Sequence, residues 1–391
     1  MNYNEILNNI NKNYSIKSFY YSFCDVNFSC SFNNDFLFNK FNNIIYPYIK
    51  EIKLYTTMDF SIKSIVDDYI LKSLKTSLLQ ENRKQIFTMT YCSTEKGTIK
   101  VNKYIFDNYI IFEAIKSDAI LIMNNNYNEY IYITSNENML NNNFFKDYYM
   151  FFEHILHKKC NEKGSILVHA SAVNTKDGVI LFVGKKRSGK TTMLFECCKK
   201  LDCNPLSVDK VHLKFKNNKI KVYGFPTRLR VLSGTLSRYK ELKNIIPMKY
   251  KNASEDELWK GKSDSKVDIE INKFEHFVNK KIVSYGNLNK IVLNTVTKEI
   301  NKETFFYENY KSQCINTLLE NIYTPYNPEE DWWSNISINK CDEMENNKNY
   351  LLNYIYSSIP IISLNAKNHI VGLMEKILLN PDVRKYEIIS N

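Results

Sequence analysis

A stretch of eight residues combines two glycines, a lysine and a threonine at the spacing G-x-x-x-x-G-K-[ST]. Its members, in order, are Gly184, Lys185, Lys186, Arg187, Ser188, Gly189, Lys190 and Thr191. Glycines allow a backbone to wrap closely around phosphate oxygens, with its N–H groups directed at the charge. In a loop of this kind Lys190 reaches the β- and γ-phosphates, and the Thr191 hydroxyl coordinates Mg²⁺. The pattern therefore predicts a site for ATP or GTP with Mg²⁺, and Thr192 is counted among its nucleotide-binding residues.

The alternative is a chance match in a turn that contains glycine. The flanking residues argue against chance, because an apolar run at 179–183 predicts a buried strand and residues 191–201 predict a helix. A further strand at 165–173 and a polar turn at 174–178 predict a hairpin upstream. The chain holds only ten glycines, so two of them at the required spacing also argue against chance.

A carboxylate follows the predicted helix closely. Residues 206–209 predict a short strand that ends in Asp209, eighteen residues after Thr191. A strand, loop, helix and adjacent strand would return Asp209 to the phosphates, where it could hold Mg²⁺ directly or through water. The short interval favours a compact kinase-like arrangement over that of motors and GTPases. The alternative is an aspartate in a solvent-exposed turn.

Two arginines follow a strand predicted at 220–223. Arg228 and Arg230 alternate with apolar neighbours, so on a strand they share one face. Their guanidinium groups could neutralise charge on a transferring phosphoryl group or clamp an anionic substrate. The alternative, to which the sequence gives equal weight, is two solvated arginines on an edge strand.

Four segments in this order resemble the C-terminal catalytic domain of HPr kinase/phosphorylase. They are V-H-A-S-A-V at 168–173, G-V-I-L-F-V-G at 178–184, S-G-K-T at 188–191 and S-V-D-K-V at 207–211. The resemblance covers residues 164–231. It implies a strand-rich, largely antiparallel core related to phosphoenolpyruvate carboxykinase, with a doubly wound parallel sheet as the second choice. The activity it implies is phosphoryl transfer to a serine hydroxyl, or to hydroxylated metabolites or modified peptides in relatives.

The resemblance also assigns residues. His169 matches the family histidine, Lys190 and Thr191 match the P-loop pair, and Asp209 matches the second of two family aspartates. Val208 stands where the family has the first aspartate, which is considered the acid/base. His169 is therefore the candidate for accepting the hydroxyl proton, since imidazole has a suitable pKa. The alternative, to which the sequence gives equal weight, is that His169 is a structural histidine on a strand.

The rest of the chain predicts two domains. Residues 1–140 combine strand-like and helix-like runs, which predicts an α+β domain that recognises substrate or partner. The runs are strands at 19–32, 85–91, 99–101, 104–106, 119–123 and 129–134, and a helix at 36–52. An asparagine-rich linker or surface loop is predicted at 135–143, and a helix at 144–159 leads into a catalytic domain at 144–391. A strand at 359–364 and a helix at 370–379 close its core. The fold class is α/β (α+β), with a strand-rich HPr kinase/PEP carboxykinase-like P-loop core after a smaller α+β domain.

Composition and charge limit the classes of protein to which the chain could belong. Hydrophobic residues make up 44% and charged residues 24%, which predicts a folded chain. There is no leader pattern and no apolar run of membrane-spanning length, so the prediction is a cytoplasmic protein without a membrane partner. The nine cysteines lack zinc-ligand spacing. Basic residues exceed acidic ones by 11 but are dispersed, so nucleic acid is not the expected partner. The sequence leaves open whether the chain forms a homo-oligomer.

Three functions compete. The leading hypothesis is an ATP-dependent kinase that phosphorylates a hydroxyl on a small molecule or peptide. A nucleotide-binding scaffold in a biosynthetic or regulatory pathway is the second, and Val208 favours it. A P-loop ATPase acting on nucleic acid, suggested by the basic balance, is the third.

Overall fold

The chain is divided into two compact units in the computed structural model. Described residues are 5, 8–10, 12, 14–53, 57–80, 84–90, 98–106, 108–115, 117–124, 126, 128–141, 144–226, 229–259, 265–296, 304–307, 311–323 and 338–366. Unit 1 comprises Met1–Gly164 with Tyr323–Glu345, and unit 2 comprises Ser165–Ile322 with Asn346–Asn391. Arg228 and the helix predicted at 370–379 lie outside the described residues.

Unit 1 contains a nine-stranded mixed sheet. Its elements are β1 (Lys17–Phe23), β2 (Val26–Phe32), α1 (Asp35–Ile45), β3 (Lys50–Glu51), β4 (Phe60–Val66), α2 (Asp68–Leu79), β5 (Lys84–Thr90), β6 (Thr98–Ile105), β7 (Tyr109–Ala114), β8 (Ala119–Asn124), β9 (Glu129–Thr134), α3 (Asn136–Leu140) and α4 (Phe144–Glu162). The strand order is β3-β1-β2-β4-β9-β8-β7-β6-β5. The pairs β2–β4 and β4–β9 are parallel and the other described pairs are antiparallel. The mixed α+β character predicted for this part of the chain is confirmed.

Aromatic packing attaches α4 to unit 1. The Phe152 ring lies 4.9 Å from the Phe41 ring of α1 and 5.7 Å from the Phe28 ring of β2. The helix predicted at 144–159 is therefore present, and it belongs to unit 1, whereas the sequence assigned it to the catalytic domain. The segment predicted as a linker or loop contains α3, which Ser135 caps by accepting a hydrogen bond from the Asn138 N–H.

Unit 2 contains a ten-stranded mixed sheet and a separate two-stranded ladder. Its elements are β10 (Ser165–His169), β11 (Ser171–Thr175), β12 (Gly178–Val183), α5 (Lys190–Lys200), β13 (Asn204–Ser207), β14 (Lys210–Lys216), β15 (Lys219–Gly224), β16 (Leu229–Leu232), α6 (Ser233–Leu236), 3₁₀ turns at Lys240–Ile245 and Met248–Tyr250, α7 (Glu255–Trp259), β17 (Lys266–Ile269), α8 (Ile271–Val278), β18 (Tyr285–Val296), β19 (Thr304–Tyr307), α9 (Lys311–Glu320), β20 (Ile322–Tyr323), α10 (Ile338–Ser358), which enters this unit from Asn346 onward, and β21 (Ile361–Ala366).

The main sheet of unit 2 has the order β13-β11-β12-β18-β15-β14-β10-β20, with β21 beside β18 and β19 beside β21. Only β12–β18 and β18–β21 are parallel among its described ladders. A doubly wound parallel sheet, the second choice from the sequence, is therefore wrong. The separate ladder pairs β16 with β17.

The helix after β12, α5, is held by buried side chains along its length. Met193, Leu194, Cys197 and Cys198 of α5 are fully buried, as their spacing predicts. The Phe195 ring lies 4.9 Å from the Phe274 ring of α8. The start of α5, where the candidate site lies, is thus held by packing along the whole helix. No helix in the described part of the chain is both long enough and apolar enough to cross a membrane.

Candidate functional site

The 184–191 loop connects the end of β12 to the start of α5. Residues 179–183 of β12 are buried, and β12 lies parallel to β18 in the centre of the sheet. The loop is attached to the end of β18, because the Ser188 carbonyl accepts hydrogen bonds from the Val296 N–H at 3.0 Å and the Asn294 amide at 2.7 Å. This attachment positions the loop at the amino end of α5.

Both motif glycines are required by this geometry. Gly189 has a φ of +86°, a left-handed conformation, and a Cβ there would lie 2.6 Å from the Val296 Cβ. A Cβ on Gly184 would lie 2.5 Å from the Ser188 Oγ and 2.7 Å from the Asn294 carbonyl oxygen. The backbone of the loop therefore follows a path that side chains at these two positions would block.

Lys190 extends its side chain back over the loop. Its Nζ donates to the Gly184 carbonyl at 2.8 Å and to the Lys185 carbonyl at 3.2 Å, and the residue is 7% exposed. Burial lowers the pKa of Lys190 to about 8; the charge of Asp209 opposes this shift and that of Lys266 adds to it. A partly desolvated ammonium group thus lies within the loop, where it can bind an anion.

The two threonines that follow have different surroundings. Thr191 is partly accessible to solvent. Thr192 is 2% exposed and its hydroxyl lies 3.3 Å from that of Thr235 in α6. The Thr192 side chain therefore packs between helices, and its predicted contact with a nucleotide is restricted to the backbone N–H.

His169 and Asp209 are brought together by strand pairing. His169 ends β10 and lies opposite Lys210, the first residue of β14. Asp209 directly precedes Lys210, and its Oδ1 lies 3.1 Å from the His169 Nε2. The turn around it is fixed because the Ser207 hydroxyl donates to the Lys210 carbonyl at 2.5 Å. The sequence predicted both residues for the site, and the structure places them in contact.

The Asp209 carboxylate is kept ionised by its neighbours. Burial acts to raise the pKa of Asp209, but the hydrogen bond and charge of His169, then the charges of Lys210 and Lys266, outweigh it and lower the pKa below its ordinary value. The side chain is 48% exposed, so a ligand can reach it. An ionised, accessible carboxylate of this kind suits binding of a hard cation. Val208 beside it is 6% exposed and apolar.

Arg230 and Lys266 lie on the β16–β17 ladder. Arg230 is opposite Asp268, and its Nε lies 3.2 Å from the Asp268 Oδ1. The second predicted arginine, Arg228, is outside the described residues. Lys266 and Asp268 were missed from the sequence, although the alternation K-V-D-I at 266–269 is typical of a half-exposed strand.

Comparison with known proteins does not show the family of this chain. No protein-family model matches the chain. No curated protein matches it in sequence. Among solved structures, the Hpr(Ser) kinase/phosphatase from Coxiella burnetii is similar over 55% of this chain and 93% of that chain, with 11% sequence identity and a TM-score of 0.25. The similarity to that kinase/phosphatase is distant.

Proposed function

We propose that the chain binds ATP or GTP with Mg²⁺ at the 184–191 loop and transfers the terminal phosphoryl group to a hydroxyl of a small molecule or peptide. The observation that carries the proposal is the arrangement of Lys190 inside a glycine-shaped loop, within electrostatic range of Asp209, which is paired with His169.

The loop fits a chain of phosphates. Its path excludes Cβ atoms at Gly184 and Gly189, and α5 starts directly behind it, so backbone N–H groups and the helix dipole can face an anion. The buried Ser188 hydroxyl has no hydrogen-bond partner among the described residues. Lys190 now donates to two neutral carbonyls. Phosphate oxygens are stronger acceptors for an ammonium group, so a nucleotide would replace these contacts.

Thr191 and Asp209 would hold Mg²⁺. Hydroxyl and carboxylate oxygens are ligands that Mg²⁺ prefers, and the lowered pKa of Asp209 supplies the charge at neutral pH. The described residues contain no group of three or more His, Cys, Asp and Glu side chains placed to bind a metal alone. The remaining Mg²⁺ ligands would therefore be phosphate oxygens and water, as is usual for nucleotide-bound Mg²⁺. The ion would neutralise charge that develops on the phosphates.

His169 would accept the proton of the acceptor hydroxyl. Asp209 can hold the imidazole in one orientation through Oδ1 and still offer its second oxygen to a cation. A carboxylate that orients a histidine also stabilises the imidazolium ion formed by proton transfer. Arg230 would neutralise charge at the edge of the site.

A nucleotide-binding scaffold is the second candidate. It is favoured by Val208, whose buried apolar side chain occupies the position at which the resemblance implies the acid/base aspartate. Such a protein would bind the nucleotide at the same loop but would form no phosphorylated product.

Labelled ATP distinguishes these functions. The wild-type chain, Lys190→Ala and Lys219→Ala would be incubated with γ-labelled ATP, Mg²⁺ and a metabolite and peptide extract of the source cells. Lys219 is an exposed control at the turn between β14 and β15, the opposite end of that hairpin from Asp209. A kinase yields a labelled organic product with the wild type and Lys219→Ala but not with Lys190→Ala.

Other outcomes contradict the kinase. Nucleotide binding without a labelled product would support the scaffold. Label released only as inorganic phosphate would indicate hydrolysis, and stimulation of that release by DNA or RNA would favour the ATPase reading.

A further inference from the structure

Lys266 lies on the charged face of the β16–β17 ladder. The register pairs Leu232 with Lys266 and Arg230 with Asp268. Because residues two apart on a strand share a face, Lys266 lies on the same side as the ion pair of Arg230 and Asp268. Val231, which alternates with Arg230, is fully buried on the other side. The Lys266 residue as a whole is exposed, so a ligand has access to it.

Two buried hydrogen bonds connect the start of β17 to α5 through α6. The Ser233 hydroxyl of α6 donates to the carbonyl of Ser265, the residue before Lys266, at 2.7 Å. Two residues further along α6, the Thr235 hydroxyl lies 3.3 Å from that of Thr192 in α5. All four residues are at most 2% exposed. The position of Lys266 is therefore fixed relative to the helix that carries Lys190.

Lys266 belongs to a cluster of cations around one carboxylate. Loss of hydration lowers the pKa of Lys266; the charge of Asp209 opposes this, and those of Arg230, Lys186 and Arg187 add to it. The pKa of Lys190 responds to the same carboxylate: the charge of Asp209 raises it, and the charge of Lys266 lowers it. Both ammonium groups are therefore within electrostatic range of Asp209, and they belong to different elements, Lys190 to the loop and Lys266 to the ladder.

Like charges gathered around one carboxylate disfavour one another, and the effect is strongest for Lys190, which is buried. Lys190, on the loop, is placed to contact the phosphates from the side of α5. Lys266, on the ladder, is within electrostatic range of Asp209 and of the exposed loop residues Lys186 and Arg187, so it is suited to a different part of the phosphate chain from Lys190. A terminal phosphate there would carry the charge that offsets the cluster.

We infer that Lys266 binds the terminal phosphate of the nucleotide, opposite Lys190. The inference rests on the proposed nucleotide site and adds a contact that a nucleoside diphosphate cannot make. Lys266 thereby acts as the residue that discriminates a triphosphate from a diphosphate and stabilises charge on the phosphoryl group during transfer.

The test compares two nucleotides on matched variants. Affinities for Mg·ADP and Mg·AMP-PNP would be measured by titration calorimetry for the wild type, Lys266→Gln, Lys266→Arg, Lys190→Ala and the control Lys219→Gln. Lys266→Gln should weaken Mg·AMP-PNP about tenfold and Mg·ADP less than about twofold, because only the former carries the terminal group. Lys266→Arg should recover most of the lost affinity, and Lys190→Ala should weaken both nucleotides. Circular dichroism melting would show that each variant is folded.

The outcomes separate the two proposals. If the wild-type chain binds neither nucleotide, the proposed nucleotide site is wrong and the inference falls with it. If it binds both but Lys266→Gln leaves their affinities unchanged, or weakens them equally, Lys266 does not contact the terminal phosphate and only the inference is overturned.

Discussion

The affinity for a nucleotide should fall as the pH is raised from about 7 to about 9, because Lys190 loses its proton in this range. Its pKa is lowered to about 8, chiefly by burial. The protonated ammonium group is the form that attracts phosphate, so binding is strongest below this pKa and weakens as the pH rises through it. The pKa of Lys266 is also lowered, chiefly by loss of hydration.

The magnitude follows from the fraction of protonated Lys190. A group with a pKa of about 8 is charged in roughly nine-tenths of molecules at about pH 7 and in roughly one-tenth at about pH 9. The observed affinity should therefore fall about tenfold over this range. A lysine with an ordinary pKa of about 10.4 would stay charged, and the affinity would change little.

Calorimetric titration with Mg·AMP-PNP at constant ionic strength measures this dependence. Lys190→Arg is the matched control, because a guanidinium group keeps its charge across the range and should give a much flatter profile. A flat profile for the wild type, or equal slopes for the wild type and Lys190→Arg, would refute the assignment of the pH dependence to a desolvated Lys190.

Three further substitutions test the site and its support. Gly189→Ala should destabilise the fold by about 2 kcal/mol or more, because of its positive φ and the approach to Val296, and an unchanged denaturant midpoint would contradict this. Asp209→Asn should reduce the gain in ADP affinity on adding Mg²⁺ by on the order of tenfold without weakening Mg²⁺-free binding, as titration with and without a chelator would show. Glu196→Gln should cost about 1–3 kcal/mol in unfolding experiments, since the buried Glu196 carboxylate lies 3.2 Å from the Arg238 guanidinium; loss of less than about 0.5 kcal/mol would argue against that role.

Local features of the site could be predicted from the sequence. The strand, loop and helix around Gly184 and Gly189 are specified by consecutive residues, because glycine conformation and apolar periodicity act over short distances. His169 and Asp209 were each predicted for the site, because both lie at strand ends close to the loop in sequence, but their contact with each other was not.

Other features depend on contacts between distant parts of the chain. The position of Lys266 depends on the contacts of Ser233 with Ser265 and of Thr192 with Thr235. A local sequence pattern does not predict such contacts. Similarly, the apolar face of α4 predicts that the helix is packed but not on which sheet. The strand Phe60–Val66 was missed although its residues alternate, because alternation over a short segment is a weak signal beside its polar neighbours.

The attachment of the Ser188 carbonyl to Asn294 and Val296 has a consequence for the kinetics of binding. Ordering a backbone costs roughly 1–2 kcal/mol per residue in conformational entropy, and here that cost is already met when β18 joins the sheet. A nucleotide would then meet a preorganised loop, so its association rate should depend on diffusion and ionic strength and not on loop ordering. The amide hydrogens of Ser188, which donates to the Lys185 carbonyl, and of Val296, which donates to the Ser188 carbonyl, should accordingly exchange slowly even without nucleotide.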